Sequence, residues 1–299
     1  MLRTSLVAAL IALAPVAASA KELAAACDYT LAQGQPVLTK PAGRTQLLCY
    51  RAYAVLYSSQ TRTALWSAER LTRETVDAAR QLPRDSDFYE EGRLPVADRA
   101  RLADYGHGTG YDRGHLAPSG DFGDKDSQAE SFSLANVIPQ NSVSNRRTWS
   151  HIETSTRRLV RKVGTAYVVT GPAFRDVGEL RSRIRVPDFV WKAIYVPGAG
   201  AAAYVVRNDE TPAYSVISID ELAHFTGVDA FPALPKALRG TALDLPAPTP
   251  HPGEKVARRV AFARLASGEA IGTVSGVESS APLVRHTQAI LALAAAFAR

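Results

Sequence analysis

The stretch YDRGHLAPSGDF spans residues 111–122 and sets an aspartate, an arginine, a glycine and a histidine in a row before a proline. Taken alone, such a stretch is more often a polar turn with a partly exposed histidine than a site of proton transfer. A histidine titrates near neutral pH, however, and it suits general-base catalysis when its surroundings hold it in place. The residues downstream decide between these two interpretations of His115.

A second polar stretch, NVIPQNSVSNRRTWSHIETSTR, covers residues 136–157. Residues 144–164 predict a helix, with Ser144 as its N-cap and Gly164 as its C-terminal stop. Four residues of this helix recur at every fourth position and share one slowly drifting face: Asn145, Trp149, Glu153 and Arg157. The face joins an amide, a carboxylate and a guanidinium, which are groups that phosphate chemistry uses.

Hydrolysis of a phosphodiester needs a base for the attacking water, positive charge for the transition state, and an acid or metal at the leaving oxygen. Mg²⁺ typically keeps several waters and takes few protein ligands, and Asn145 offers a neutral amide oxygen at the start of the helix. Glu153 lies about 12 Å further along the helix at ~1.5 Å per residue. This distance favours an indirect role for Glu153, such as holding a metal-bound water.

The motifs DRGHLAP (112–118) and NVIPQNSVSNRRTW (136–149), with a glutamate four residues after the tryptophan, resemble the DNA/RNA non-specific endonuclease family. The similarity continues through VVTGPAF, VPDFVWKAIYVP and ELAHFTGVDAFPALP, and so covers roughly residues 46–235. It implies an α+β protein with the ββα-metal nuclease fold. In that fold a mainly antiparallel central sheet is flanked by helices, a hairpin presents the histidine, and a following helix presents the asparagine.

The resemblance also implies roles for individual residues. His115 would be the general base, and Asn145 the one direct protein ligand of Mg²⁺, with Mn²⁺ as an alternative ion. Glu153 would hold a metal-bound water. Three arginines would contact phosphate or stabilise the charged transition state: Arg113, Arg157 and, in a loop whose length departs from the family pattern, Arg84. Two further residues, Asp112 and Asn136, would brace the backbone.

Each of these residues also has a simpler interpretation. Asn145 alone would be a helix cap, and Glu153 with Arg157 would be a solvated ion pair. Trp149 is expected in the core. Among the other histidines, His107 lies in a glycine-rich loop and His151 lies off the Asn145 face. The remaining three have no acidic or metal-ligating partner at useful spacing: His224, His251 and His286.

The rest of the chain predicts hairpins with inserted helices, which again indicates the α+β class. Predicted strands cover residues 46–58, 63–71 and 166–170, and residues 190–196 pair with 201–207 as a hairpin. A short helix is expected after residue 125, capped by Asp126 or Ser127. Another is expected from the capping box of Ser218 and Glu221 to Gly227. Residues 82–110 predict a long loop, and long loops in compact domains are often functional.

Residues 1–20 start basic, continue as a short apolar run, and end in the small residues Ala18, Ser19 and Ala20. This is the pattern of a signal peptide, and the run is shorter than the ~20 residues that a membrane-spanning helix needs. We expect cleavage after Ala20 and a periplasmic or secreted protein without an integral membrane segment. In such a protein Cys27 and Cys49 are expected to form a disulfide, two unpaired thiols being the alternative.

The mature chain divides by composition. Residues 21–244 form the predicted nuclease domain, LPAPTPHPGEK at 245–255 forms a Pro-rich linker, and residues 256–299 form a C-terminal extension with no assigned role. A net charge of +6 suits DNA and RNA as polyanionic partners. The sequence leaves open whether the chain forms a homodimer. Two other functions compete with a metal-dependent endonuclease: an inactive nucleic-acid-binding protein of the same fold, and a phosphodiesterase for small phosphate esters.

Overall fold

The computed structural model describes Cys27, Leu31 and residues 34–84, 86–106, 108–176 and 178–268. The predicted signal peptide and the last part of the C-terminal extension lie outside these residues. In chain order the strands are β1 (Val37–Leu38), β2 (Thr45–Cys49), β3 (Tyr53–Ser58), β4 (Thr63–Thr72), β5 (Tyr111–His115), β6 (Val137–Asn141), β7 (Thr165–Ala173), β8 (Glu179–Leu180), β9 (Ile184–Arg185), β10 (Phe189–Val196), β11 (Gly200–Arg207), β12 (Ala213–Ile217), β13 (Val228–Asp229) and β14 (Arg258–Arg259).

Eight strands form the central sheet in the order β14-β12-β11-β10-β7-β4-β3-β2. All neighbours are antiparallel except β12 and β14, which run parallel. The strand predicted over residues 46–58 is in fact two strands, because a turn closed by the 2.9 Å bond from Tyr50 N to Tyr53 O reverses the chain. The strands predicted over 63–71 and 166–170 and the 190–207 hairpin are confirmed.

The helices are α1 (Arg73–Ala79), α2 (Lys125–Glu130), α3 (Ser142–Ser144), α4 (Ser150–Val163), α5 (Ile219–Thr226), α6 (Lys236–Gly240) and α7 (Phe262–Ser267). Three 3₁₀ turns add Leu102–Tyr105, Ser119–Asp121 and Leu134–Asn136. The Ser218–Glu221 capping box and the left-handed Gly227 bound α5 as predicted. The cap of helix α2 lies two residues before Asp126 and three before Ser127, the predicted caps, since the Asp124 side chain accepts the Ser127 N–H at 2.8 Å.

The helix predicted over residues 144–164 contains a break in its regular winding. Asn145–Trp149 form a π turn between α3 and α4, and Asn141 rather than Ser144 caps the N-terminus by accepting the N–H groups of Val143 and Ser144. Gly164, at φ 93°, ends α4 as predicted. A π turn bonds residues five apart, so the every-fourth-residue stripe drawn from Asn145 does not continue unchanged into α4.

The sheet carries an apolar core on each face, and side-chain alternation along β10 shows the two faces. Val190 and Ile194 belong to the core beneath α4 and the β5–β6 hairpin, and Trp149 belongs to the same core. Trp191 joins the opposite core, beneath α5 and α7. Lys192 shares the face of Val190 and Ile194, so its amine enters the layer between the sheet and the hairpin.

The N-terminal segment is tied to the sheet by a disulfide between Cys27 and Cys49, the last residue of β2, which confirms the predicted pairing. In the described part of the chain, none of the helices has the length and apolar character that crossing a bilayer requires.

The Pro-rich stretch 245–255, predicted as a linker, packs against the sheet and α4. Leu245 and Ala257 are buried in the core beneath α4, and the Tyr204 hydroxyl donates to the Pro246 carbonyl at 2.5 Å. Past this stretch, β14 pairs with β12, and Leu265 of α7 is fully buried in the opposite core. Proline prevents regular secondary structure but leaves carbonyls and apolar rings free to pack, and composition does not show this.

Candidate active site

The hairpin of β5 and β6 presents His115 at the end of β5, opposite Val137. Gly114, next to it, lies opposite Ile138 with an ordinary backbone conformation. A Cβ at Gly114 would lie 2.2 Å from Gln140 Oε1 and 2.4 Å from Gln140 Cβ. We therefore explain the glycine of DRGH by the Gln140 side chain that crosses it, rather than by a bend in the backbone.

Asn136 holds the chain just after His115. Its Oδ1 accepts the Ala117 N–H at 3.0 Å, and its Nδ2 donates to the carbonyls of Ala117 and Ser131 at 2.8 and 2.9 Å. The Asn136 carbonyl also accepts the Leu116 N–H at 3.0 Å. Because Asn136 is fully buried, these bonds fix the position of the His115 backbone, in agreement with the bracing role that the sequence suggests.

The His115 imidazole packs against two phenyl rings, which also contact each other, and lies near two arginines. The centroids of Phe88 and Phe132 are each 5.1 Å from the imidazole centroid. The Arg113 guanidinium carbon lies 4.4 Å from the Phe88 ring, and that of Arg84 lies 5.2 Å from the Phe132 ring. Burial, followed by the charges of Arg84 and Arg113, lowers the pKa of His115 to about 3. The ring is thus neutral at physiological pH, and the same effects weaken it as a base until nearby negative charge, such as that of a phosphate, offsets the two arginines.

Asp112 orients Asn145 from the neighbouring strand. Its Oδ2 accepts the Asn145 amide Nδ2–H at 2.9 Å, and its two oxygens accept two N–H groups of Arg146 at 2.9 and 2.7 Å. Although burial opposes it, these bonds lower the pKa of Asp112, which therefore stays ionised. With its nitrogen bound to Asp112, Asn145 keeps its amide oxygen free to ligate a cation. Asp112 thus positions a side chain, whereas the sequence suggests only a backbone brace.

Glu153 and Arg157 of α4 belong to a partly buried charged cluster rather than to a solvated ion pair. Arg157 donates to Asp121 Oδ1 at 2.8 Å, and Asp121 is almost fully buried. Burial raises the pKa of Glu153, while Arg157, Lys192 and Arg84 oppose the rise. Among the described residues, none donates a hydrogen bond to the Glu153 carboxylate, which leaves its oxygens available to water.

Two charged residues beneath this cluster escaped the sequence analysis. Lys192 is fully buried and donates through Nζ to Thr170 Oγ1 at 2.7 Å and to the Leu116 carbonyl at 3.5 Å. Glu69 of β4 is equally buried, and burial followed by the charge of Asp121 raises its pKa well above the usual range. The available signal was a charged residue in the middle of a mostly apolar strand, at a position whose side chain faces the hairpin.

The predicted site residues therefore fall into one region with two parts. Arg84 and Arg113 act electrostatically on His115, and Arg84 also acts on Glu153, so these side chains share one charged environment. Asn145 joins this region through Asp112, which lies three residues before His115 on β5.

One sequence expectation about histidines is wrong. His251 does have partners: His151 of α4 and Glu254 form a group with it whose ligand atoms all lie within 4.8 Å of one another. His151 is 100 residues from His251, so local spacing does not reveal that contact. Glu254 is three residues from His251 and was visible in the sequence. His107 lies outside the described residues.

A ββα-metal arrangement, with a histidine on a hairpin and an asparagine on the following helix, defines a class of metal-dependent nucleases. Residues 35–237 match the family model of the DNA/RNA non-specific endonucleases. The chain belongs to this family, and it is an endonuclease that hydrolyses phosphodiester bonds.

Individual relatives agree with this assignment. A nuclease of Nostoc sp. is 30% identical over 249 residues, covering 75% of this chain and 89% of the relative. Nuclease C1 of Cunninghamella echinulata var. echinulata is 33% identical over 171 residues, covering 52% and 68%. Mitochondrial endonuclease G of Homo sapiens is 32% identical over 185 residues, covering 56% and 61%.

A solved structure has the same fold. The crystal structure of an EndoG/EndoGI complex gives a TM-score of 0.58 at 24% identity, and the match covers 67% of this chain and 91% of the other. At this level of identity the likeness concerns the fold. It confirms the α+β, ββα-metal architecture that the sequence predicts.

Proposed function

We propose that this endonuclease is exported and cleaves DNA and RNA with little sequence preference, using a water activated by His115 and one Mg²⁺ bound through Asn145. The observation that carries this proposal is the state of His115, a buried neutral imidazole fixed on a hairpin beside two arginines. The fold that surrounds it belongs to a nuclease family. Mn²⁺ is the alternative ion.

His115 acts as the general base. Its Nε2 is buried and has no hydrogen-bond partner among the described residues, so the imidazole is not committed to another structural contact through that atom. Phe88 and Phe132 hold the plane of the ring, and Asn136 holds the backbone on its C-terminal side. A proton taken from water gives an imidazolium whose charge a phosphate dianion or monoanion nearby would stabilise.

The residues fit a hard divalent cation. Asn145 presents a neutral amide oxygen, while its amide nitrogen donates to Asp112. Among the described residues, none donates a hydrogen bond to the Glu153 carboxylate. Asn145 would ligate the ion directly and Glu153 would hold one of its waters, as suits an ion that keeps most of its hydration. When bound, Mg²⁺ would neutralise charge on the phosphate and at the leaving oxygen.

Three arginines supply fixed positive charge. Arg113 and Arg84 are exposed above the phenyl rings that contain His115, where a phosphodiester backbone can reach them. Arg157 is less exposed and anchored by Asp121, so its guanidinium is pre-oriented and its pKa is raised by Asp121 and Glu153 against the effect of burial. We assign phosphate contact to Arg113 and Arg84 and transition-state stabilisation to Arg157.

Export rests on the N-terminal pattern of residues 1–20 and is supported by the Cys27–Cys49 disulfide, since such bonds persist in oxidising compartments. We propose cleavage after Ala20 and release into the periplasm or the medium. N-terminal sequencing of protein recovered from those fractions should begin at Lys21; recovery of chains beginning at Met1 would contradict this.

The test of the catalytic proposal is a gel assay of plasmid DNA and of structured RNA with Mg²⁺, with EDTA, and with two variants. His115→Ala should lower the cleavage rate by about 10²–10⁴, and EDTA should abolish cleavage of both substrates. The matched control is His224→Ala, which removes an exposed histidine of α5 and should cleave at the wild-type rate. Full Mg²⁺-dependent activity in His115→Ala would refute the mechanism, and cleavage of small phosphate esters alone would refute the substrate.

A further inference from the structure

His151 occupies a buried position on α4, on the opposite side from the nuclease site. At about 100° per residue, its side chain points about 200° away from that of Glu153. Its exposed fraction is 1%. Its Nε2 contacts the Glu254 carboxylate and lies 3.4 Å from the backbone N–H of His251. The two imidazole rings are 5.0 Å apart at 76°.

Hydrogen bonds hold residues 245–255 so that His251 and Glu254 reach His151. The Ser155 hydroxyl, one turn after His151 on α4, donates to the Ala247 carbonyl and accepts the Thr249 N–H, both at 3.0 Å. The chain then turns through HPGE, with the Glu254 N–H donating to the His251 carbonyl at 3.0 Å. Gly253, at φ 83°, supplies the left-handed residue of the turn. The turn therefore sets His251 and Glu254 side by side above His151.

Hydrogen bonding alone leaves this group inconsistent. If Nε2 of His151 accepts the His251 N–H, its lone pair faces the Glu254 carboxylate, and the proton on Nδ1 is buried without a described partner. If Nε2 instead carries the proton for Glu254, the His251 N–H points at another N–H. With a cation between Nε2 and the carboxylate, the lone pairs of both groups can point at the ion instead of at each other.

We propose that His151, His251 and Glu254 bind a transition-metal dication, with Zn²⁺ as its representative, and that this ion clamps residues 245–255 onto α4. Two imidazoles and one carboxylate form a set that suits Zn²⁺, with water as a fourth ligand. Tetrahedral Zn²⁺ with such ligands separates the ligand atoms by about 3.3 Å. The present separations reach at most 4.8 Å. The direct contact between His151 and Glu254 would have to open for the ion, and the exposed His251 would have to give up the contact of its Nε2 with Ser150 Oγ at 3.0 Å.

This centre differs from the proposed nuclease ion in chemistry and in place. The Asn145 site offers oxygen and selects a hard ion that stays hydrated, whereas two imidazoles select a softer one. The two centres share no residue and lie on opposite sides of the same helix. Binding at one can therefore be measured while the other is disabled.

The experiment is a titration of the metal-free full-length chain with ZnCl₂ against a chromophoric chelator, with Mg²⁺ in excess. We expect one Zn²⁺ per chain, and affinity weakened about tenfold or more in His251→Ala and in Glu254→Gln. These positions are partly or fully exposed, so both variants should fold even if His151→Gln does not. His224→Ala is the matched control, and Asn145→Ala should keep the zinc affinity, which separates this centre from the nuclease site.

Amide hydrogen exchange supplies a second readout. Zinc should slow exchange at residues 246–255 in the wild type and in Asn145→Ala, and should leave it unchanged in Glu254→Gln. Three results would overturn the proposal: no zinc binding by the wild type, equal affinity in wild type and His251→Ala, or zinc binding without protection of residues 246–255.

Discussion

The two sides of α4 differ in how far apart in the chain their contacts originate. On the nuclease side, Asp112 and Asn145 are 33 residues apart, and Asp121 and Arg157 are 36 apart. On the other side, His151 and Ser155 contact Glu254 and Ala247, which are 103 and 92 residues away. The first set lies in one hairpin and the helix after it. The second depends on where the end of the chain returns, and that is decided by the whole sheet.

The sheet beneath the hairpin also depends on contacts between distant parts of the chain. A substitution there should have the largest effect on stability. Lys192→Met removes the one buried ammonium near Glu69, Asp121 and Glu153 in the described chain, and it frees the Leu116 carbonyl. Breaking one partner of a buried charged group destabilises by about 3–5 kcal/mol. Urea unfolding should show this loss, and Lys192→Met/Glu69→Gln should recover part of it. Additive effects of the two substitutions would contradict the coupling.

On the nuclease side, the orientation of Asn145 by Asp112 can be tested without removing a proposed ligand. Asp112→Ala frees the Asn145 amide and the Arg146 guanidinium. We expect the Mg²⁺ concentration for half-maximal cleavage to rise by about 10–100-fold, the usual effect of losing a partner that orients a ligand. Asp98→Ala removes a carboxylate that pairs with Arg44 and should leave this concentration unchanged. An unchanged value in Asp112→Ala would show that Asn145 does not depend on this contact.

His115 makes the stability of the folded chain depend on pH. Its pKa is lowered from 6.5 to about 3 in the folded chain. Between these values the unfolded chain binds a proton that the folded chain does not, so the wild type loses stability as pH falls. The slope from this group approaches about 1.4 kcal/mol per pH unit. Unfolding free energies of wild type and His115→Gln between pH 7.5 and 4.5 should diverge accordingly, and parallel curves would contradict the lowered pKa.

The smallest expected effect concerns the return of the chain over α4. Ser155→Ala removes two hydrogen bonds to residues 247 and 249, and each contributes about 0.5–1.5 kcal/mol net. We expect a loss near 1–2 kcal/mol in urea unfolding and faster amide exchange in residues 246–250. Ser182→Ala, which changes an exposed serine between β8 and β9, is the control. Unchanged exchange in Ser155→Ala would mean that other contacts hold this stretch.

The contrast between contacts of nearby and of distant residues also accounts for what could be predicted from the sequence. Short-range signals identified the α+β class, the 190–207 hairpin and the caps of α5, and the family motifs gave His115, Asn145 and the arginines as candidates. The π turn was missed because the spacing of polar residues tolerates one extra residue in a turn. Lys192 was missed because it is a single charge within an apolar strand, and Glu69 because it stands beside Arg70 in a strand whose side chains alternate between the two faces. The partners of His151 were missed because tertiary packing alone brings them within reach.

The parallel pairing of β14 with β12 has a consequence for how the molecule meets other copies of itself. Without β14 the carbonyls of Pro212 and Tyr214 would lose the N–H donors of Arg258 and Val260 at the end of the sheet, and the site that receives Leu265 would be an open apolar patch. Exposed strand edges next to apolar surface promote edge-to-edge association. The family match ends at residue 237, so a chain trimmed to that match would keep the nuclease site yet become prone to aggregation.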